Sequence, residues 1–341
     1  LDPTLILWRS STQWIGGLFF LFFLIIIFSN KSFNYKMTNL TFSGESNINS
    51  EENIKDNILK ILIIYLALSI LILTLLNYSG LRLFNSLNMS MTLVSGGGFL
   101  PTDTINKIIS TNFQKLIFIF SLILSMLNFY LLLNLFNKNI LIKEHREDLY
   151  LIIFSIILCV LIYFNNYQGL DIIISVVSSL ANSGLTLVKS DNNLSLYFLL
   201  ITMIGGSLIS NTSGIKLTRF YILLKITSSE IIKLISPNSV INKTIFNSDK
   251  KISDDNIKIS FLIFISFFLS LFILSSFLVI DNLGFEKSFK LSILTLTNTV
   301  NSEMFNMQNI NFSNLLKSSK ISLILFMIIG KIELISIFLI F

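Results

Sequence analysis

One stretch in the second half of the chain restricts the fold more than any other: Ile204, Gly205, Gly206, Ser207, Leu208, Ile209, Ser210, Asn211, Thr212, Ser213, Gly214, Ile215, Lys216, Leu217, Thr218, Arg219, Phe220. It lies among apolar residues yet cannot be ordinary membrane helix. The apolar run before it, Leu194 to Ile204, is shorter than the roughly 20 residues a helix needs to cross a bilayer. The run after it, Phe220 to Leu224, is shorter still. The glycines, hydroxyls, amide and lysine between them require water or close protein partners. Irregular backbone at membrane depth survives only where it is buried in protein or lines a water-filled cavity. The expectation is a helix broken in the middle beside a pore, with Gly205, Gly206, Ser207, Ser210, Asn211, Thr212, Ser213, Gly214 and Lys216 forming a gate.

Composition agrees with a membrane setting. The chain is 53% hydrophobic and 13% charged, with a mean hydropathy of +0.77, against roughly 25% charged residues in soluble proteins. A soluble enzyme is excluded. One cysteine, Cys159, allows neither an internal disulfide nor a thiolate metal site. The single histidine, His145, falls in a charged loop with Lys143, Glu144, Arg146, Glu147 and Asp148, which reads as solvated. The net charge of +6 calls for no nucleic acid, because membrane proteins concentrate Lys and Arg in cytoplasmic loops. The start at Leu1, with no leader before the first apolar run, suggests a partial chain.

A pattern recurs three times. In the first copy a spanning run, Ile58 to Leu76, leads through a shorter stretch, Leu81 to Val94, to Ser95, Gly96, Gly97, Gly98 and Phe99, and then to the run Leu116 to Phe136. In the second, Leu149 to Phe164 leads through Leu170 to Ala181 to Asn182, Ser183, Gly184 and Leu185, and then to the broken segment. In the third, Ile259 to Ile280 leads through Phe285 to Leu296 to Thr297, Asn298, Thr299, Val300 and Asn301, and then to Ile321 to Phe341. Each copy reads as helix, half-helix, small polar loop, helix. Repeats of this kind build a site on a pseudo-symmetry axis. Lysines and Arg146 dominate the connections between copies, while Asp103, Asp171, Asp191, Asp281 and Glu303 flank the small clusters, so the clusters face outward.

Small residues around an axis suit a cation filter, in which rings of carbonyls replace an ion's water shell. The filter candidates are Ser95, Gly96, Gly97, Gly98, Asn182, Ser183, Gly184, Asn298, Thr299 and Val300. Gly97 and Gly184 are expected to supply the backbone angles that aligned carbonyls demand. Asp171 either caps its half-helix or raises cation concentration at the mouth. Lys331 lies inside the last apolar run, where a charge costs roughly 2.5–3.5 kcal/mol. Glu333, two positions on, sits on another helix face. The expectation is that Lys331 points to the axis near Gly205 to Gly214 and opposes cation passage.

These residues resemble the Trk/Ktr/HKT potassium transporters, and among them the TrkH membrane subunits. The resemblance rests on Trp8, Arg9, Ser10, Gln13, Trp14, Gly16 and Gly17; on Met91 through Phe99; on Gly205, Gly206, Gly214, Ile215, Lys216, Arg219 and Phe220; on Pro237, Asn238 and Val240; and on Gly330 through Glu333. It implies an all-α integral membrane protein made of repeated helix–pore half-helix–filter loop–helix units around a pseudo-four-fold ion pathway. The pore domain would span 1–341, with 1–29 the last helix of an incomplete first repeat, 58–136 the second repeat, 149–228 the third with its broken second helix, and 259–341 the fourth. It implies K+ as the transported ion, held at the filter residues, and no other cofactor. A homodimer in the lipid bilayer of the bacterial inner membrane and a cytosolic nucleotide-binding regulatory subunit of the TrkA/KtrA type are implied as well. Two departures stand out: the missing first filter loop, and Val300 where the family pattern has glycine. The family also has arginine where this chain has Lys331. The alternatives are a secondary transporter of another solute and a non-conducting truncated subunit. An enzyme is the weakest reading, since no catalytic motif is present.

Overall fold

The computed structural model describes residues 2–29, 51–102, 104–129, 131–132, 146–163, 169–188, 192–236, 244–247, 251–281, 283–300, 303–307, 310 and 312–332. Expectations attached to His145, Pro237, Asn238, Val240, Asn301 and Glu333 fall outside these residues. The described elements are helical: α1 (Pro3–Ser29), α2 (Glu51–Tyr78), α3 (Leu83–Val94), α4 (Asn112–Met126), α5 (Arg146–Tyr163), α6 (Leu170–Leu180), α7 (Asn192–Ile204), α8 (Leu217–Ile235), α9 (Asp254–Ile280), α10 (Phe285–Leu296) and α11 (Lys317–Ile332).

Two of these, Ile58–Tyr78 within α2 and Asp254–Ile280, are long and apolar enough to cross a membrane. Helix α9 is apolar nearly all round, with Phe261, Leu269 and Phe272 exposed on one side and Phe267, Leu271, Leu274 and Leu278 buried on the other. That distribution suits lipid outside and protein inside. Its buried serines return their hydroxyls to the helix's own carbonyls, as in Ser260 to Asn256 (2.7 Å) and Ser270 to Phe267 (2.8 Å). Polar groups thus reach helix contacts with their hydrogen bonds made. Ser253 caps the start of α9 through the amide of Asn256 (3.3 Å). Asp254 and Asp255 follow in the first turn, where the helix dipole favours negative charge. Helix α4 begins with a capping box, Thr111 and Gln114 bonding each other's backbone amides, which leaves two fewer unpaired N–H groups at that end.

The short helices α3, α6 and α10 each pack on the long helix before them, and their C-terminal halves are buried. Two runs differ from their sequence reading. The run Leu116 to Phe136 is not one continuous helix: α4 ends at Met126, Leu127 turns extended (φ −73°, ψ 162°), and helix resumes at Phe129. The helix after the broken segment continues beyond residue 228 to Ile235, because α8 is amphipathic rather than wholly apolar and a hydropathy run misses its polar face. On that side Tyr150, Tyr221 and Phe246 group together, with ring centroids 4.4 to 6.1 Å apart.

Candidate functional site

The three half-helices end in one geometry. In the first, the Gly96 amide donates to Leu93 O (3.1 Å) and the Gly97 amide to Thr92 O (2.8 Å). In the second, Asn182 donates to Ser179 O (3.1 Å) and Ser183 to Ser178 O (3.0 Å); in the third, Asn298 to Thr295 O (3.1 Å) and Thr299 to Leu294 O (2.9 Å). This is the paired closure of a Schellman cap, which needs a left-handed residue just past the helix. Gly96, Asn182 and Asn298 supply it at φ 66°, 56° and 51°. Glycine and asparagine tolerate that conformation best, which explains why these two types recur there.

Beyond the caps the loops meet. A side chain on Gly98 would strike the carbonyl of Ser183 and come within 3.0 Å of Val300, and one on Gly184 would strike the carbonyl of Val300. Ser183, Gly184, Gly98 and Val300 are thereby brought together. The expectations for Gly97 and Asp171 need correction. Gly97 is not left-handed; it is small because the side chain of Gln13 on α1 fills the space where its Cβ would be. Val300 is not among the left-handed residues either, so its branched side chain carries no backbone strain. Asp171 does not cap α6, whose first residue follows Gly169 without a side-chain cap; it pairs with Lys115 at 2.5 Å. Gln13 enters the sequence reading only as part of the resemblance, with no role of its own. Only its proximity to Gly16 and Gly17 hinted at a close approach, since Gly17 packs on Tyr65 and Ser95.

The broken segment is a compact loop whose two necks cross. Ile215 N bonds Met203 O (2.9 Å), Lys216 N bonds Ile204 O (2.8 Å) and Leu217 N bonds Gly206 O (3.2 Å). Gly205 (φ 73°) and Gly214 (φ 90°) turn the corners, each with a backbone carbonyl where a side chain would go. From Ser207 to Ser213 the loop is buried. Lys216 is only 2% exposed. Its ammonium donates back into the loop, to Thr212 O (2.5 Å), Thr212 Oγ1 (3.1 Å) and Ser210 O (3.4 Å).

This loop touches all three caps. Asn211 Nδ2 donates to Val94 O (2.8 Å), the Ser213 amide donates to Asn182 Oδ1 (3.2 Å), and Asn298 Nδ2 reaches Ser213 Oγ (3.5 Å). Asn182 Nδ2 also holds the end of α7 through Thr202 O (2.8 Å), and Asn298 Nδ2 holds α11 through Met327 O (2.9 Å). The two asparagines therefore close a helix with their backbones and anchor a neighbour with their side chains. Lys331 donates its ammonium to the Asn211 carbonyl and lies over the Phe20 ring at 4.9 Å. Gly330 beside it lets α11 run directly against Leu296 O at the end of α10.

Glu147 and Asp148 are not in a solvated loop. Helix α5 starts at Arg146, and both carboxylates are buried beneath the broken segment. Glu147 Oε1 accepts from the Leu208 amide (2.8 Å) and the Thr218 hydroxyl, and Asp148 Oδ1 accepts from the Asn128 amide (2.9 Å). Sequence reading missed them because a run of charges beside a histidine is usually a solvated face. The available signal was an acidic pair opening a helix directly before an apolar run.

A cavity of about 820 Å³ opens between α1, the first and last loops, and α11. Arg9, Thr12, Gln13, Ser95, Gly96, Thr299, Asn298 and Lys331 line it, and its lining contains two cations and no carboxylate. Arg9 lies over the Phe99 ring at 4.2 Å.

Half-helices that return through capped loops and meet around a buried, broken helix define an all-α membrane fold among the described residues. In particular it is the fold of the potassium transporter TrkH: the crystal structure of TrkH from Vibrio parahaemolyticus matches with a TM-score of 0.83 at 18% identity, covering 100% of this chain and 72% of that one. An uncharacterized cation transporter of Methanocaldococcus jannaschii is 26% identical over 253 residues, covering 71% of this chain and 51% of the relative. The chain thus spans about half the length of the curated relative it matches. No family model matches. Both matches are transporters by name.

Proposed function

We propose that this chain is a pore-forming part of a channel-like potassium transporter in the bacterial inner membrane, with Gly205–Gly214 as its gate. The observation that carries the reading is that one buried, glycine-cornered loop bonds all three half-helix caps and the Lys331 ammonium. The C-terminal ends of α3, α6 and α10 converge on the axis, and each carries the partial negative charge of a helix dipole, which favours a cation there. The filter is read as Ser95–Gly98, Asn182–Gly184 and Asn298–Val300, holding K+ as the transported ion. In the closed arrangement Lys331 supplies a fixed positive charge at the loop and opposes the passage of another cation.

The repeats are read as 1–29, 58–136, 149–235 and 259–341, the third ending with its helix at Ile235. A homodimer and a cytosolic nucleotide-binding regulatory subunit of the TrkA/KtrA type complete the assembly. The second reading, a non-conducting subunit, draws on the mutual contact of Gly98, Ser183 and Val300, which narrows the axis. Rubidium uptake into proteoliposomes holding the natural full-length protein separates the two. Conduction with K+ and Rb+ preferred over Na+ and over organic solutes, faster when Ser207–Ser213 is shortened, is the expected result. A folded, membrane-inserted protein with no cation flux in either form would leave the non-conducting reading standing.

A further inference from the structure

We propose that Glu147 and Asp148 form a latch joining two helix breaks, so that the Gly205–Gly214 loop and the break after Met126 move as one unit. The proposal rests on the reading of that loop as the gate and adds a positioning pair that neither touches the ion nor lines the axis.

The two breaks already touch through backbone. Ser207 N bonds Met126 O (3.1 Å), and Phe129 N bonds Ile209 O (3.0 Å). Each break also leaves amides that its own helix cannot satisfy, and an unpaired buried amide is costly. Adjacent residues on α5 supply the missing acceptors, Asp148 to the first break at Asn128 and Glu147 to the second at Leu208. Because the two carboxylates are neighbours at one helix start, neither break can shift without straining the other's bond. Burial and the adjacent carboxylate oppose holding both residues charged, while the α5 N-terminus and the nearby Lys216 and Arg219 act in the other direction on Glu147, so the pair is held chiefly by its hydrogen bonds. Thr218, at the start of α8, adds a hydroxyl to the same Glu147 oxygen, so the latch also reaches the helix that follows the loop.

The test reads amide exchange rather than flux alone. In wild-type protein and in the Glu147→Gln and Asp148→Asn variants, hydrogen–deuterium exchange is followed in peptides covering 126–129 and 205–214, in parallel with rubidium flux. Charge-assisted bonds are the stronger ones, so each variant is expected to exchange about tenfold faster. The acceleration should appear in both peptides, and Glu147→Gln read at 126–129 is the deciding case, because Asp148 lies within reach of the Ser207 side chain in the other peptide. A local role alone would speed only the peptide bonded to the altered side chain, and that outcome overturns the latch whatever the flux does. If both peptides open yet flux stays at the parent value, the latch stands and the gate reading fails. Should either isostere fail to fold, Thr218→Val removes one bond to Glu147 only. It is then expected to speed exchange in 126–129 two- to threefold, and unchanged exchange there would overturn the latch.

Discussion

The half-helix ends and the broken loop lie against each other but are held by different kinds of bond. Each cap closes through backbone bonds to carbonyls three to five residues earlier in the chain. The loop closes its own necks by local bonds but is tied to the rest of the molecule from far away: Asn211 to Val94 and Lys331 to Asn211 join residues 117 and 120 positions apart, and Leu208 to Glu147 joins residues 61 apart. A frame closed locally keeps its shape whatever its neighbours do. A loop held by single distant bonds can release them one at a time, and segments that open are drawn from such weakly held regions. The contrast teaches that rigidity and mobility at one depth can come from bond distance along the chain rather than from composition, since both regions are rich in Gly, Ser, Thr and Asn.

The largest effect is expected at the loop corners. Gly205→Ala must hold a left-handed alanine, costing about 1–2 kcal/mol, and must also displace the Ser213 carbonyl; the sum should reach about 3 kcal/mol or more, in the range of severe substitutions. Gly96→Asn at a cap should cost less than about 1 kcal/mol, because asparagine is an accepted residue there and its Cβ would meet the Asn211 carbonyl at 3.0 Å, a clash relieved by a small shift. Thermal unfolding in detergent compares the two, and equal losses would erase the distinction between frame and loop.

Asn182 belongs to both regions, so two substitutions divide its roles. Asn182→Gly keeps the left-handed cap and loses the side-chain bonds to Thr202 and Ser213, at about 1 kcal/mol each. Asn182→Ala loses the same bonds and adds about 1–2 kcal/mol of backbone strain. The difference between the variants in chemical or thermal unfolding measures the cap alone. If alanine and glycine behave alike, the left-handed cap at this position carries no stability.

Lys331→Gln addresses the loop without touching the frame. If the loop is the proposed gate, loss of a charge-assisted bond shifts the equilibrium toward the released loop by about 1.5 kcal/mol, so rubidium flux should rise roughly tenfold. Equal membrane abundance with unaltered flux would place Lys331 among merely structural contacts. The smallest effect is expected at Val300. Because this residue lies outside the left-handed region, Val300→Gly relieves no strain and removes only packing against Gly98. The K+ over Na+ ratio should change less than about twofold, which is roughly 0.4 kcal/mol. A larger rise would mean that valine distorts the loop after all.

Much of this architecture was legible in the residues because membranes simplify the problem. Backbone groups in lipid must bond internally, so apolar runs become helices, and a run too short to cross must turn back. The ends of α3, α6 and α10 fell within two residues of the sequence expectation for this reason, and the gap between α7 and α8 announced itself by composition. The role of the small residues in the clusters was less legible. Glycine at 96 and asparagine at 182 and 298 are helix-ending residues first, and local capping rules could have assigned them. Gly97 could not be assigned, because the reason for its size is a glutamine more than eighty positions away.

What the sequence by itself determined, then, are the elements whose physics is local or set by the bilayer: the spanning helices, the half-helices with their caps, and the break at Gly205–Gly214. Only the tertiary structure decided that a second break after Met126 meets the first and that Glu147 and Asp148 are buried between them; that Lys331 lies at the loop was expected from the sequence, and the structure adds that it meets the Asn211 carbonyl. The physical reason is that a buried charge or an interrupted helix is unfavourable by itself. Its stability comes from partners brought close by folding, and sequence distance does not reveal them.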